Sequence, residues 1–199
     1  YQPIVRTDDN MVVVFEALMR WTHPERGYIG PNVFIPIAEE SDLILKLGEW
    51  ALNKACMDAL EWPASVRVAV NVSAAQFTHS EFADTVTQAL EASGLEPGRL
   101  ELELTESVFM GDSETVEETF RTLKKLGIRL ALDDFGTGYS SLSYLRSAPF
   151  DKLKVDRSFV RDVESDLSAL AIVTTVIRVG QSLHLTVVAE GVETDGQRD

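Results

Sequence analysis

Six short stretches of the chain are rich in Val, Ile and Leu and carry a polar residue at or near one end. Apolar runs of this length are typical of buried parallel strands. The segments between them repeat apolar residues every three or four positions, which is typical of helices. The six stretches are Val12–Trp21, Val66–Ser73, Leu100–Ser107, Ile128–Gly136, Phe150–Ser158 and Leu185–Thr194. This alternation predicts a parallel β/α architecture.

The helical periodicity gives approximate bounds for the intervening elements. Ser73 is a suitable N-cap for the second helix, and Gly94 is a suitable residue to end it. The predicted helices are Asp42–Leu60, Ala74–Ser93, Ser113–Leu126, Tyr139–Ser147 and Val160–Leu183.

The polar residues of the predicted strands suggest a binding site. Charges at the ends of buried strands are costly unless something binds them. The ends of strands in β/α proteins are where ligands bind. Five of the six stretches carry oxygen donors, which favours hard divalent cations. The polar residues are Glu16, Asn71, Glu103, Glu106, Asp133, Asp134, Lys154 and Glu190.

The number of contributing strands decides between two α/β folds. An open sheet concentrates its site at one switch point, whereas a closed barrel directs many consecutive strands towards one axis. We therefore predict a (β/α)8 TIM-like barrel. Such barrels typically need about 250 residues, and this chain has 199. With Tyr1–Val5 as the first strand, we expect residues 1–199 to form a single domain, truncated at the C-terminus and without its last strand.

Composition narrows the classes of partner. The formal net charge of −14 argues against a DNA-binding surface, which needs a basic stripe. Bound metal ions can still create a local site for a phosphorylated small molecule. Cys56 is the single cysteine, and we expect it to be a buried core thiol. Without a signal peptide or a long apolar run, the sequence predicts a cytoplasmic domain, with any tether to the inner membrane in regions outside this chain.

Ordered motifs along the whole chain resemble the EAL family of bacterial cyclic-di-GMP phosphodiesterases. Val14 stands where a glycine is common in that family, and the final strand with its Gln-Gly-Tyr segment lies beyond this chain. The matching segments are Tyr1–Val5, Glu16–Trp21, Phe34–Glu39, Asn71–Ser73, Glu103–Ser107, Asp133–Leu142, Lys152–Asp156 and Ala189–Thr194.

The resemblance implies an enzyme that hydrolyses cyclic-di-GMP to linear pGpG with two divalent cations, Mg²⁺ or Mn²⁺. Two such ions about 3.5–4 Å apart can activate water and neutralise charge on a phosphodiester. At the matching positions, Asp133 is the bridging ligand and Asp134 binds the second ion. The implied ligands of the first ion are Glu16, Asn71 and Glu103.

Two further strand residues are implied to be catalytic. Lys154 either holds the attacking water and the phosphate, as the resemblance implies, or extends to the rim beside Asp151 or Asp156. Glu190 is implied to be a metal-site or proton-handling carboxylate. The sequence leaves open which group takes the proton from water.

Glu106 has a separate implied role. It follows Glu103 by three residues, so the two can share one face only if the strand ends between them. The resemblance implies that Glu106 anchors the glycine-rich loop Asp134–Ser141. That loop lies where family members form homodimers.

The resemblance also implies a groove for cyclic-di-GMP. For Arg20, an ion pair with Glu39 or Glu40 is the alternative to a phosphate contact. The implied substrate-binding residues are Gln2, Leu18, Arg20, Pro36 and Glu193.

Four functions are compatible with these features. Besides the phosphodiesterase, they are an inactive module that binds cyclic-di-GMP, a domain for protein–protein contact only, and an unrelated two-metal β/α-barrel hydrolase. No implied metal ligand is missing and Glu106 is present, which favours the enzyme. Regulatory domains outside this chain are the expected protein partners.

Overall fold

The computed structural model describes residues 1–110, 113–136, 145 and 148–198. Its strands are β1 (Gln2–Val5), β2 (Val12–Ala17), β3 (Trp21–His23), β4 (Gly27–Ile29), β5 (Arg67–Val72), β6 (Leu100–Thr105), β7 (Arg129–Phe135), β8 (Lys152–Val155) and β9 (Thr186–Ala189). Its helices are α1 (Pro31–Glu40), α2 (Leu43–Ala59), α3 (Ala74–Phe77), α4 (Phe82–Ser93), α5 (Ser113–Leu126), α6 (Arg157–Val160), α7 (Leu167–Ser182) and α8 (Asp195–Arg198). Two 3₁₀ turns cover Pro97–Arg99 and Glu106–Met110.

Seven strands form one sheet in the order β1-β2-β5-β6-β7-β8-β9. From β2 to β9 every neighbouring pair is parallel and follows the order of the chain. Most of the connections between these strands contain helices, as in a parallel barrel. The predicted fold is therefore confirmed: the sheet is a partial (β/α)8 barrel.

The two faces of this sheet have different chemistry. Alternate residues of each strand point to opposite faces. One set joins the apolar core with the helices: Val68, Val70, Leu100, Leu102, Leu130, Leu132, Leu153 and Val155. The alternating set on the four strands β5 to β8 is largely polar: Asn71, Glu101, Glu103, Asp133, Lys152 and Lys154. The barrel interior is therefore where charge accumulates.

The apolar core holds the strands in place from the helical side. Phe77, Phe120 and Phe150 form successive ring contacts between α3, α5 and the segment before β8, with centroids 4.7 Å and 5.6 Å apart. Cys56 is fully buried in α2, and burial raises the pKa of its thiol to about 11. The thiol therefore stays protonated at neutral pH, as expected of a core residue.

The first strand is the exception to the parallel architecture that the sequence predicts. β1 is antiparallel to β2, because the short turn between Arg6 and Met11 closes a hairpin. The amide of Arg6 donates to the carbonyl of Met11 at 3.0 Å. A two-stranded hairpin of β3 and β4 then follows, which the apolar pattern did not indicate.

Three helical segments differ from the prediction. The helix expected over Ala74–Ser93 is divided into α3 and α4, and the one expected over Val160–Leu183 begins only at Leu167, as α7, after the short α6 has ended at Val160. The segment Phe34–Glu39 lies in α1, a helix that is not among those predicted from the periodicity. Ser73 does cap α3, with its hydroxyl accepting from the amide of Gln76 at 3.3 Å. The helix predicted at Tyr139–Ser147 lies outside the described residues except for Leu145.

The break between α3 and α4 has a local cause. Thr78 donates its hydroxyl to the carbonyl of Ala74, and His79 Nδ1 accepts the amide of Glu81 at 3.3 Å. The amide of Thr78 still donates to Ala74 at 3.0 Å, so the break lies at His79, whose ring takes the amide that Glu81 would direct to a carbonyl in a continuous helix. Among the described helices, none is long and apolar enough to span a bilayer.

His184 adopts a left-handed backbone conformation after α7, with φ of 58°. That conformation costs a non-glycine residue about 1–2 kcal/mol, whereas glycine adds about 0.5–1 kcal/mol of entropy loss on folding. His184→Gly is therefore expected to raise the free energy of unfolding by roughly 0.5–1 kcal/mol. Urea unfolding measures this change. His79→Gly is the control and is expected to destabilise the domain, since it removes the bond to Glu81.

Candidate active site and metal centre

The polar strand residues converge at the carboxyl ends of the parallel strands. Each of the strands from β2 to β8 in the large sheet contributes one of Glu16, Asn71, Glu103, Asp133 and Lys154, and Glu190 directly follows β9. The register aligns Asn71 with Glu103 on the neighbouring strand. The structure therefore brings together the residues that the sequence indicated as ligands, and their roles in binding stay predictions.

Two groups of three carboxylates meet at one residue. Glu16, Glu103 and Asp133 form one triad, and Asp133, Asp134 and Glu190 form the other. Within each triad, one ligand atom from each residue lies within 4.8 Å of the others. Asp133 belongs to both triads, which is the position that a bridging ligand would take.

The backbone explains how adjacent aspartates can serve one site. In a regular strand, Asp133 and Asp134 would point to opposite faces. The register between β7 and β8 shifts between Leu132 and Phe135, and Asp134 has φ of 52°. The amide of Asp134 also donates to Asp133 Oδ1 at 2.9 Å. This irregularity turns Asp134 towards the same region as Asp133.

Lys154 lies among these carboxylates rather than at the rim. Its side chain is 1% exposed, and Nζ is 2.8 Å from Glu190 Oε1 and 3.1 Å from both Glu103 Oε2 and Asp133 Oδ2. Burial lowers the pKa of Lys154, but the surrounding carboxylates outweigh it and raise the pKa overall. The ammonium is therefore held protonated.

The alternative for Lys154, a rim position beside Asp151 or Asp156, is not what the structure shows. Asp151 instead pairs with Lys124 Nζ at 2.8 Å and accepts the amide of Leu130.

The four carboxylates that contact Lys154 share the single positive charge of its ammonium group. Burial raises the pKa of Glu103 well above its usual range, with Lys154 opposing and Glu16 and Asp133 adding to the shift. Burial is also the first cause of the raised pKa of Asp134 and of Glu190.

Among the described residues, the carboxylate of Glu103 has one charged partner, Lys154, for its two buried oxygens. Both are buried and accept no hydrogen bond, although one forms the ion pair with Lys154. Asn71 Nδ2 donates to Glu16 Oε1 at 2.7 Å. A set of carboxylate and amide oxygens with unmet bonding capacity fits hard divalent cations such as Mg²⁺ or Mn²⁺.

Glu106 contacts the start of the loop that it was predicted to anchor. β6 ends at Thr105, so Glu106 leaves the strand alternation and begins a 3₁₀ turn. Its Oε1 accepts the amide of Gly136 at 3.4 Å. Most of the predicted loop, residues 137–141, lies outside the described residues.

Gly136 is confined both by its backbone and by a neighbouring ring. Its φ is +100°, and a Cβ there would lie 2.7 Å from Phe159 Cε2. Gly136→Ala is therefore expected to displace the chain after Asp134 and to lower activity about tenfold, the equivalent of roughly 1.4 kcal/mol. Steady-state hydrolysis of cyclic-di-GMP, the activity that the sequence predicts, is the measurement that checks this expectation.

Gly94→Ala is the matched control for Gly136→Ala. Gly94 also has positive φ, of +73°, but a Cβ there would meet no atom within 4 Å. Both variants are expected to lose stability, whereas only Gly136→Ala should lose activity. Equal activities of the two variants would contradict a special role for the Gly136 position.

The predicted substrate-binding residues are distributed around this end of the barrel. Gln2 is paired with Glu16 in the hairpin register, so both side chains emerge on the same face. Arg20 is exposed and donates to the carbonyl of Met19 at 2.9 Å. In the described part of the chain it forms no ion pair with Glu39 or Glu40, so the alternative proposed for Arg20 is not observed.

The other three predicted substrate-binding residues are partly or fully exposed. Leu18 directly follows β2 and is half-buried, and Pro36 is exposed on α1. Glu193 is exposed, and its amide donates to Gln197 Oε1 at 2.7 Å. The substrate contacts of all five residues stay predictions.

A second charged pair beneath the site was missed by the sequence reasoning. Lys152 and Glu101 form a buried ion pair two residues before Lys154 and Glu103 on the same strands. On β7, between these two strands, Ala131 is the register partner of both Lys152 and Glu103, and Arg129 is the partner of Glu101. The Glu-x-Glu and Lys-x-Lys spacings were the available signal.

Comparison with known proteins identifies the family. Residues 1–199 match the model of the EAL domain. The chain belongs to the EAL domain family. It is 45% identical over 201 residues to the cyclic di-GMP phosphodiesterase NbdA of Pseudomonas aeruginosa, covering 99% of this chain and 26% of NbdA. It is 42% identical over 203 residues to MucR of the same organism, a bifunctional diguanylate cyclase/cyclic di-GMP phosphodiesterase, covering 100% of this chain and 30% of MucR.

Solved structures of EAL proteins agree with the fold. The PaMucR phosphodiesterase in complex with c-di-GMP has a TM-score of 0.93 and 42% identity, covering 100% of this chain and 82% of that chain. BlrP1 of Klebsiella pneumoniae, in a calcium/cy-diGMP complex, has a TM-score of 0.81 and 34% identity. This match covers 98% of this chain and 49% of the BlrP1 chain. This EAL chain spans 24–30% of the length of four curated relatives that it matches.

Proposed function

We propose that this EAL domain is a metal-dependent phosphodiesterase that hydrolyses cyclic-di-GMP to linear pGpG. The observation that carries the proposal is the pair of carboxylate triads that share Asp133, with Lys154 buried among them. The relatives NbdA and MucR, both named as cyclic di-GMP phosphodiesterases, support the choice of substrate.

The candidate ligands divide into two groups. Two bound divalent cations would supply activation of water and neutralisation of charge on the phosphodiester. The proposed ligands of the first ion are Glu16, Asn71, Glu103 and Asp133. The proposed ligands of the second ion are Asp133 and Asp134, and Glu190 lies in the same triad.

We propose that Lys154 orients the attacking water and the phosphate and does not act as a base. Because its neighbouring carboxylates raise its pKa, its Nζ keeps the proton and donates hydrogen bonds to the attacking water and to a phosphate oxygen. Such a fixed donor favours one approach direction for the water.

Glu190 is proposed to handle the proton that leaves the water. Its side chain is 28% exposed, the most open of the carboxylates that contact Lys154. Burial raises its pKa, which makes its oxygens better proton acceptors than an ordinary glutamate. A proton held on Glu190 can then exchange with solvent.

We propose that cyclic-di-GMP binds through the five predicted substrate-binding residues. Arg20 is exposed and carries a guanidinium that can form paired hydrogen bonds with a phosphate. Gln2 lies beside Glu16 and would contact the same end of the substrate. The remaining proposed contacts come from Leu18, Pro36 and Glu193.

The setting of the domain is also part of the proposal. We propose that it works in the cytoplasm within a longer signalling protein whose other domains regulate it. We propose a homodimer through the region of Asp134–Ser141, most of which lies outside the described residues. The relatives' greater length supports a multidomain protein.

Incubation of the EAL domain with cyclic-di-GMP and Mg²⁺ or Mn²⁺ tests the activity. Chromatography is expected to show linear pGpG, and EDTA is expected to prevent its formation. Calorimetric titration of cyclic-di-GMP in parallel separates the alternatives. Binding without product would indicate a sensing module, and neither binding nor product would indicate a domain for protein contact.

A further inference from the structure

Lys154 contacts every member of the first carboxylate triad. Its Nζ lies 3.1 Å from both Glu103 Oε2 and Asp133 Oδ2, and 3.6 Å from Glu16 Oε2. It is also 2.8 Å from Glu190 Oε1, in the second triad. Among the described residues, no other cationic side chain forms an ion pair with these four carboxylates.

The ammonium group of Lys154 and a metal ion would compete for the same carboxylate oxygens. A divalent cation needs carboxylate oxygens at roughly 2.0–2.6 Å. Lys154 is 1% exposed, so water screens its charge poorly. Because like charges a few ångströms apart in such a site repel strongly, an ion within the first triad is disfavoured while Nζ stays there.

The structure also offers the ammonium a position to which it can withdraw. Glu190 is the nearest of the four carboxylates and lies outside the first triad. The lysine stem has four rotatable carbon–carbon bonds, so Nζ can shift towards Glu190 without movement of β8.

We propose that Lys154 is a built-in counter-cation that takes the place of the first metal ion in the metal-free protein. Metal binding then requires the ammonium to move away from Glu103 and Asp133. This inference rests on the proposed metal-dependent function of the site. It gives Lys154 a role before any turnover: it holds the carboxylates together without metal and sets the metal concentration at which the site fills.

Calorimetric titration of Mn²⁺ into purified Lys154→Met tests the competition. Methionine keeps much of the volume and removes the charge, so the variant is expected to bind Mn²⁺ about tenfold more tightly than the parent. Lys152→Met is the matched control. Lys152 lies on the same strand and is also buried, but it pairs with Glu101, so its removal should leave Mn²⁺ affinity at the parental value.

Thermal unfolding gives a second readout of the same proposal. In EDTA, Lys154→Met is expected to unfold at a lower temperature than the parent, since the carboxylates repel one another without the ammonium. Saturating Mn²⁺ is expected to raise its unfolding temperature more than that of the parent.

Crystal structures of the parent protein with and without Mn²⁺ cover the case in which Lys154→Met does not fold. With Mn²⁺ bound, Nζ is expected to lie beyond about 4 Å, the usual ion-pair limit, from both Glu103 and Asp133. An Nζ that keeps both contacts beside bound Mn²⁺ would overturn the proposal. Equal or weaker Mn²⁺ affinity in a folded Lys154→Met would overturn it too. None of these measurements uses cyclic-di-GMP. They therefore test the competition between Lys154 and Mn²⁺ independently of whether the domain hydrolyses cyclic-di-GMP.

Discussion

Asp133→Asn is expected to abolish hydrolysis of cyclic-di-GMP while the domain stays folded. Asp133 belongs to both carboxylate triads, so loss of its charge weakens both proposed ions at once. Stabilisation by metal ions is worth several kcal/mol in the transition state, and its loss corresponds to about a thousandfold or more in rate. Steady-state hydrolysis at saturating Mg²⁺, with circular dichroism as the check on folding, measures the effect.

Stability separates this loss of activity from a loss of structure. Without metal, the carboxylates share the charge of Lys154, so removing one negative charge relieves repulsion. Metal-free Asp133→Asn is therefore expected to be at least as stable as the parent in urea. Asp162→Asn is the control, because among the described residues the Asp162 carboxylate forms an ion pair only with its neighbour Arg161, at the surface, so that its change should leave activity unchanged. Retained turnover of Asp133→Asn at saturating Mg²⁺ would exclude Asp133 as the bridge.

Much of the fold follows from the apolar pattern because most residues of the central parallel strands β5 to β8 are buried. The parallel strands of the large sheet, β2 and β5 to β9, lie within the predicted stretches, and their polar ends meet as a barrel requires. The direction of β1 did not follow from this pattern. It depends on the turn between Arg6 and Met11, whose hydrogen bonds are local and leave no periodic signal.

The residues of the site and their convergence at one end of the barrel were predictable, but their individual contacts were not. Strand alternation alone would separate Asp133 from Asp134, and only the irregular backbone at Asp134 brings both to one region. The contacts of Lys154 depend on the curvature of the sheet, which brings together residues distant in sequence. No periodicity encodes that curvature. The ion pair of Lys152 with Glu101 was missed for the same reason.

Glu106→Ala is expected to lower turnover strongly by misplacing the chain that carries Asp134. Glu106 Oε1 accepts the amide of Gly136, two residues after Asp134, so its loss frees the start of the loop. A displacement of about 1 Å can cost on the order of 100-fold in rate. The first triad does not include Glu106, so Glu103 and its partners should keep their positions. Steady-state hydrolysis, with metal titrated to saturation, measures the loss.

Two controls distinguish anchoring of the loop from a general effect of removing a glutamate. Glu106→Gln keeps an oxygen that can accept the amide of Gly136 and is expected to retain most of the activity. Glu91→Ala removes an exposed glutamate on α4 and is expected to match the parent. If Glu106→Ala also turns over at nearly the parental rate, Glu106 does not position the loop. If Glu106→Gln is as impaired as Glu106→Ala, the negative charge matters more than the bond to Gly136.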